Sequence, residues 1–155
     1  MSKSLRRVTQ ALSDAGLDIA PMEMDGETRT AQQAADQAGC NLDQIAKSIV
    51  FEGQDSGAIH LFITAGGNQV DPAKASALIG EPLGRADGRK VRSETGFAIG
   101  GVAPIAHLTP PRIWFDPRLM DFDVIWAAAG TPQHIFPIQP AILLEISSAQ
   151  AADFT

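Results

Sequence analysis

Two apolar runs separated by a short polar turn constrain this chain more than anything else in it. SIVFEG over residues 48–53 and AIHLFITAGG over 58–67 are rich in β-branched and aromatic side chains, and QDSG between them is turn-like. They predict a hairpin. Farther along, RIWFD at 112–116 and VIWAAAG at 124–130 read as two more strands, with a turn or short helix near Pro117 to Asp121.

Helices account for much of the remainder. Leu5, Val8 and Leu12 recur at helical spacing ahead of Gly16, a C-terminal stop. A short extended piece around Ile19 to Met24 leads to Thr30, which stands three residues before Gln33 in a capping-box pattern; the Ala-rich run that follows ends at Gly39. Asn41 caps a short helix through Ile45, with Leu42 and Ile45 toward the core. Asp71 and Pro72 open a helix over Ala73–Ile79 that Gly80 closes. In the tail, ILLEIS fits a strand, but Pro140 at a first helical position and the Ala-rich continuation favour a helix.

A length of 155 residues suits one domain, 1–155, and there is no repeat or linker that would divide it. A formal net charge of −6 and a pI near 4.9 argue against a broad duplex-DNA binder, which needs an extended basic face, although they leave room for a local phosphate site. Cys40 is the single cysteine, so an intrachain disulfide and a Cys-based zinc cluster are excluded and a reducing compartment is implied. The N-terminus has no apolar signal core, and no apolar run approaches the roughly 20 residues of a membrane span. The expectation is a cytoplasmic protein that is not membrane-bound.

Candidate chemistry gathers in four places. Gly96, Gly100 and Gly101 lie close together before Pro104, a combination that describes either a rigid loop offering bare backbone to a ligand or a tight turn with structural duty alone. Just before it, RADGRKVR sets Arg85, Arg89, Lys90 and Arg92 against Asp87. This is a local basic excess suited to phosphate or to a solvated helix face. Lys47 stands at the hairpin entrance, where a lysine is either a solvated edge charge or a functional one. Ala127, Ala128, Ala129 and Gly130 leave room at a strand end for another element or for a substrate. The rigid turn Gly130-Thr131-Pro132-Gln133-His134 then projects a histidine toward that space, in a structural or a functional role.

Several familiar chemistries lack their motifs. The sequence has no GxxxxGK[ST] phosphate loop, no GxGxxG dinucleotide fingerprint, no HExxH and no GxSxG elbow, and His60, His107 and His134 are far apart. Cys40 shows no local sign of thiol activation.

AKSIVF at 46–51, AGGNQVDPAKASALIG at 65–80, VRSETGFAIGGVAPI at 91–105 and WAAAGTPQHIF at 126–136, taken together, resemble the YbaK family, which includes free-standing relatives of the editing domain inserted in bacterial prolyl-tRNA synthetase. The segments occur in family order, and the resemblance spans roughly residues 5–153. It implies an α+β fold with a central mixed β-sheet flanked by helices, no metal and no organic cofactor. It also implies an aminoacyl-tRNA deacylase acting on mischarged tRNA, typically tRNA(Pro), after release from the synthetase, with prolyl-tRNA synthetase as a further partner. By the same resemblance, Lys47 holds the terminal adenosine and its phosphate, backbone groups of Gly100-Gly101-Val102-Ala103-Pro104 position the ester, and His134 lines the amino-acid pocket; the small residues Ala128 and Gly130 are candidate substrate contacts beside it. Ala106 departs from the glycine found in many relatives.

The residues agree with this chemistry. An ester is already activated, so its hydrolysis needs a held substrate, a placed water and donors for the developing oxyanion, which the N–H groups of Gly100 to Ala103 can supply. Arg89, Lys90 and Arg92 are the candidate tRNA contacts, and no side chain stands out as a general base. A noncatalytic module for the tRNA acceptor end or a synthetase, and an unrelated small-molecule hydrolase on the same scaffold, remain alternative readings. The amino acid removed stays open among alanine, serine, threonine, cysteine and 2-aminobutyrate.

Overall fold

A computed structural model of the chain describes residues 1–26 and 30–155. In chain order its elements are α1 (Lys3–Asp14), β1 (Met22–Glu23), α2 (Ala31–Ala38), β2 (Ile45–Gly53), β3 (Ile59–Ala65), α3 (Pro72–Ile79), β4 (Leu83–Arg85), α4 (Gly88–Thr95), β5 (Arg112–Phe115), β6 (Ile125–Ala128), β7 (His134–Ile138), α5 (Pro140–Ile146) and β8 (Gln150–Ala151). Short 3-10 turns cover Leu42–Gln44 and Pro117–Asp121.

The predicted hairpin is the centre of a mixed eight-stranded sheet ordered β1-β7-β6-β2-β3-β5-β8, with β4 added on β2. β2 and β3 pair antiparallel from Ala46–Ala65 to Glu52–Ile59. On its other edge β2 meets β6 in parallel at Ile45 and Ala46, and meets β4 antiparallel at Phe51 to Gly53. Residues 47–50 between these two pairings have no strand partner on that edge among the described residues. The sheet is therefore split at its middle strand.

Alternation along the strands assigns the two faces. One face carries Leu61, Ile63, Phe115, Ile125 and Phe136, and α1 covers it with Leu5, Val8 and Leu12. Val91 of α4, Phe97, Val102, Ala103 and Ile105 complete that core. The other face holds two separate clusters. In the first, Ala34 and Ala35 of α2 pack on Ile45 and Ile135; in the second, Ala75 of α3 packs with Phe62, Trp114 and Phe154. Ile45 belongs to one cluster and Ile49 to the other, so Lys47 lies on this face in the interval between them.

The caps that the sequence predicts do form. Thr30 and Gln33 make a reciprocal capping box, Asp71 accepts from the N–H groups of Ala73 and Lys74, and Gly39 and Gly80 close their helices in the left-handed conformation. Other expectations need correction. The turn after Asn41 stops at Gln44, and Ile45 starts β2 because its β-branched side chain is buried against α2. β7 was not anticipated, because Pro137 interrupts its pattern; β1 pairs only with Ile135 and His134, so the proline lies where no second strand asks for its missing N–H. The tail does form α5, but the Ala-rich continuation leaves it: Ser148 takes φ +55° and β8 joins the edge of β5. Gly96, read with the glycine loop, is the left-handed cap of α4, so the loop proper begins there.

Candidate active site

The split in the sheet opens into a cavity of about 240 Å³. Its floor is β2 from Ile45 to Ile49, and its walls come from Met24 and α2 (Ala31, Ala34), from Trp126 and Ala128 of β6, and from Thr131, Pro132 and His134. Gly100 and Val102 close the remaining side.

Lys47 is half-buried, and its Nζ donates to the carbonyl oxygen of Asn68 at 2.6 Å. That carbonyl is itself fixed. The buried carboxylate of Asp116 accepts from Asn68 Nδ2 at 2.9 Å and from the Ala65 N–H at 3.0 Å, while Asp43 accepts from the Gly67 N–H at 2.8 Å. The AGGN turn is thus pinned from two sides, with the lysine between them. Burial holds the Lys47 ammonium below the usual lysine range, and the charges of Asp116 and Asp43 partly restore it. Neither carboxylate pairs with it directly, so two of its three donors remain for a ligand.

The facing wall is main chain. Phe97 anchors the loop in the core with no exposed surface, residues 98–100 form an exposed tip, and Gly100 takes φ +94°. A Cβ on Gly101 would stand 2.9 Å from backbone atoms of Thr131, so only glycine lets this loop lie against the 131–132 turn. The Gly101 N–H is not available to a substrate, since it donates to the Ala98 carbonyl at 3.0 Å. The N–H groups of Gly100, Val102 and Ala103 have no acceptor among the described residues, and the last two residues are buried. Buried main-chain donors left open in this way call for a partner.

His134 opens β7 and lines the cavity. Its Nδ1 lies 2.6 Å from Thr131 Oγ1, which also accepts the Gln133 N–H at 3.2 Å. This hydrogen bond holds the ring in place at the cavity wall.

Other residues singled out in the sequence lie elsewhere. Ala127 and Ala129 face the main core, so of the alanine run only Ala128 reaches the cavity, as alternation along a strand requires. Gly130 takes φ +95° with Ser4 and Phe97 against it and is not part of the lining. Pro104 borders a separate cavity of about 420 Å³ with Ala106, His107 and Arg112. On α4, Arg89 and Arg92 are exposed, whereas Lys90 is bonded to the Gly57 carbonyl and lies 3.9 Å from Glu52, toward the other end of β2 from Lys47. The structure does not bring these three to the cavity.

Sequence reasoning passed over Trp126, Thr131 and the α2 wall. Trp126 sits two residues before Ala128 on the same strand face, and Ala31 and Ala34 stand one helical turn apart, which are the signals that locate them. Among the described residues no group of three or more His, Cys, Asp or Glu could hold a metal ion, and no helix is long and apolar enough to cross a membrane.

The model of the aminoacyl-tRNA editing domain matches residues 25–146, and the chain belongs to that family, the YbaK-type fold to which its four motifs point. Within it, the chain is similar to a crystal structure described as a candidate trans-editing enzyme for prolyl tRNA synthetase, with 42% identity and a TM-score of 0.92 across 100% of this chain and 98% of that one. A protein solved for the grafting of linear epitopes onto scaffolds has 40% identity and a TM-score of 0.92 over 100% and 99% of the two chains. The uncharacterized protein YwhH of Bacillus subtilis (strain 168) is 30% identical over 125 residues, 81% of this chain and 79% of its own length.

Proposed function

We propose that the protein is a trans-editing deacylase that hydrolyses the ester of a mischarged aminoacyl-tRNA, with tRNA(Pro) carrying a small noncognate amino acid as its substrate. It would act in the cytoplasm on tRNA released by prolyl-tRNA synthetase. The observation that carries this reading is the opposition of Lys47 to Gly100 and Val102, whose N–H groups are open, across a cavity of about 240 Å³.

The lysine supplies a point charge for the phosphate or ribose of the terminal adenosine. The N–H groups of Gly100 and Val102 donate to the carbonyl oxygen of the ester as it gains charge in the tetrahedral intermediate. Water adds to that carbon, the bond to the ribose oxygen breaks, and the products are the free amino acid and a tRNA with its hydroxyl restored. The water proton passes to the departing ribose oxygen, relayed by the vicinal ribose hydroxyl, which hands on its own proton as it receives one, or by the substrate's amino group; the protein's share is placement and electrostatics. The walls of Ala31, Ala34 and Ala128 leave space for a small side chain beside the ester.

A panel of tRNA(Pro) charged with alanine, serine, threonine, cysteine or 2-aminobutyrate tests this directly. Turnover of at least one of them, abolished in Lys47→Ala, is expected. Failure of concentrated wild-type protein to release any of them, or any amino acid from other mischarged tRNAs, overturns it.

A further inference from the structure

The loop that faces Lys47 is fastened by a residue that does not line the cavity. Arg7 extends from α1, and its Nε donates to the Ala106 carbonyl at 2.9 Å while Nη2 donates to the Thr95 carbonyl at 3.2 Å. Thr95 is the last residue before Gly96, and Ala106 follows Ile105. One guanidinium thus ties the two ends of the loop together. Its carbon lies 4.5 Å from the centre of the Phe97 ring, so it also covers the loop's core anchor.

The loop is built around this contact. A Cβ on Gly96 would stand 2.3 Å from Arg7 Nη2, so a glycine is needed there for the guanidinium as well as for the helix cap. Ala106 holds φ +67°, a conformation unfavourable for a residue with a side chain, and its carbonyl is the one that Arg7 Nε engages. A second tie lies alongside: His107 Nε2 donates to the Ala103 carbonyl at 2.6 Å, and its ring meets Phe97 edge-to-face at 5.9 Å. Arg7 has no carboxylate within ion-pair distance among the described residues, although the chain is acidic. Its donors go to loop carbonyls instead.

We infer that Arg7 is a positioning residue for the ester-holding loop, fixing the open N–H groups of Gly100 and Val102 at the cavity wall; this rests on the deacylase reading above. A planar guanidinium bridges two carbonyls at set directions, which an ammonium cannot do. Because those N–H groups act most strongly on the charge that develops during reaction, loosening them slows the chemical step more than it weakens substrate binding.

Arg7→Met keeps an apolar stem and removes both donors, and Arg7→Lys keeps the charge. Single-turnover deacylation of the tRNA that wild-type protein hydrolyses, tRNA affinity, and amide hydrogen exchange over residues 96–106 are measured for both. The expected result for Arg7→Met is a rate about 10- to 100-fold lower with affinity within about twofold, faster exchange confined to that loop, and partial recovery in Arg7→Lys. An unchanged rate and exchange overturn the inference, as does a rate loss matched by lost affinity, which would make Arg7 a tRNA contact. If Arg7→Met does not fold, Gly96→Ala displaces the guanidinium while keeping it, and Arg7→Lys with Gly96→Ala supplies the cycle: the two changes are expected to be non-additive on the rate, and additivity overturns the inference. Absence of deacylation by the wild type defeats the enzyme reading alone, since loop exchange still decides whether Arg7 holds these amides.

Discussion

The ammonium of Lys47 and the main-chain carbonyl of Asn68 lie 2.6 Å apart, so the lysine is aimed by a turn that has its own supports. Lys47→Met keeps the aliphatic stem and removes the charge. Deacylation is expected to fall at least about a hundredfold. Stability in urea should change by no more than about 1 kcal/mol, because the ammonium is only half-buried and has no ion-pair partner among the described residues. A variant that keeps most of the activity would remove the lysine from the mechanism.

Asp116 supports that turn from below and is 2% exposed. Asp116→Ala leaves the buried Ala65 N–H without its acceptor, frees Asn68 Nδ2, and uncaps the turn at Arg118, whose N–H it accepts at 3.0 Å. The expected cost is about 2–4 kcal/mol in urea denaturation, with activity lost alongside. A cost under about 0.5 kcal/mol would show that these hydrogen bonds are replaced by water.

Gly101→Ala and Gly100→Ala separate crowding from backbone strain. At Gly101 the new methyl meets Thr131 backbone at 2.9 Å, whereas at Gly100 nothing lies within 4 Å but φ is +94°. Gly101→Ala should push the loop off the 131–132 turn and lower deacylation by about tenfold or more. Gly100→Ala should cost about 1 kcal/mol of stability with a smaller kinetic effect. Equal kinetic losses in both would point to strain rather than loop placement.

Ala128→Leu fills the cavity from its β6 wall. The larger aminoacyl groups of the panel should lose turnover first and alanine last, whereas Trp126→Ala should admit bulkier groups. Rates on alanyl- and threonyl-tRNA, measured side by side, check the order.

Two histidines contribute to the acid limb of stability. Burial lowers the pKa of His60, with the nearby Arg112 acting the same way and Glu81 opposing; burial likewise lowers His107, with the Ala103 carbonyl opposing and Arg7 reinforcing. Between each folded value and the unfolded value of about 6.5, the unfolded chain binds more protons, so stability falls as pH drops through that window and levels off below it. Urea midpoints at a series of pH values from neutral to acid should show the decline, and His107→Gln should make it shallower. A midpoint constant over that range would contradict the buried, neutral assignment.

Much of the frame was legible because local chemistry fixed it. Asp71-Pro72 and the Thr30–Gln33 box state their helices outright, and the β2–β3 hairpin is written in its composition. β7 was hidden by Pro137, and β4 and β8 are two or three residues long, too short for any period to register. At the site, the sequence singled out Lys47, Gly100, Val102, Ala128 and His134, which the fold gathers around one cavity. It could not show that the Gly101 N–H is spent on Ala98, that Gly130 serves α1, or that Lys90 belongs to the hairpin end, since each depends on a contact between segments distant in the chain or on one loop's exact course. Arg7 escaped for the same reason: its partners, Thr95 and Ala106, are far along the chain.

The split along β2 has a further consequence. Unpaired main chain in a strand is a template for another copy of the protein, and extended bare edges invite aggregation. This one is confined to residues 47–50, ends against β6 on one side and β4 on the other, and is screened by Pro132 and the charge of Lys47. A passing β-strand finds too short a run to add itself, while a small ligand fits. The fold can therefore keep raw backbone open at the bottom of a cleft without becoming adhesive.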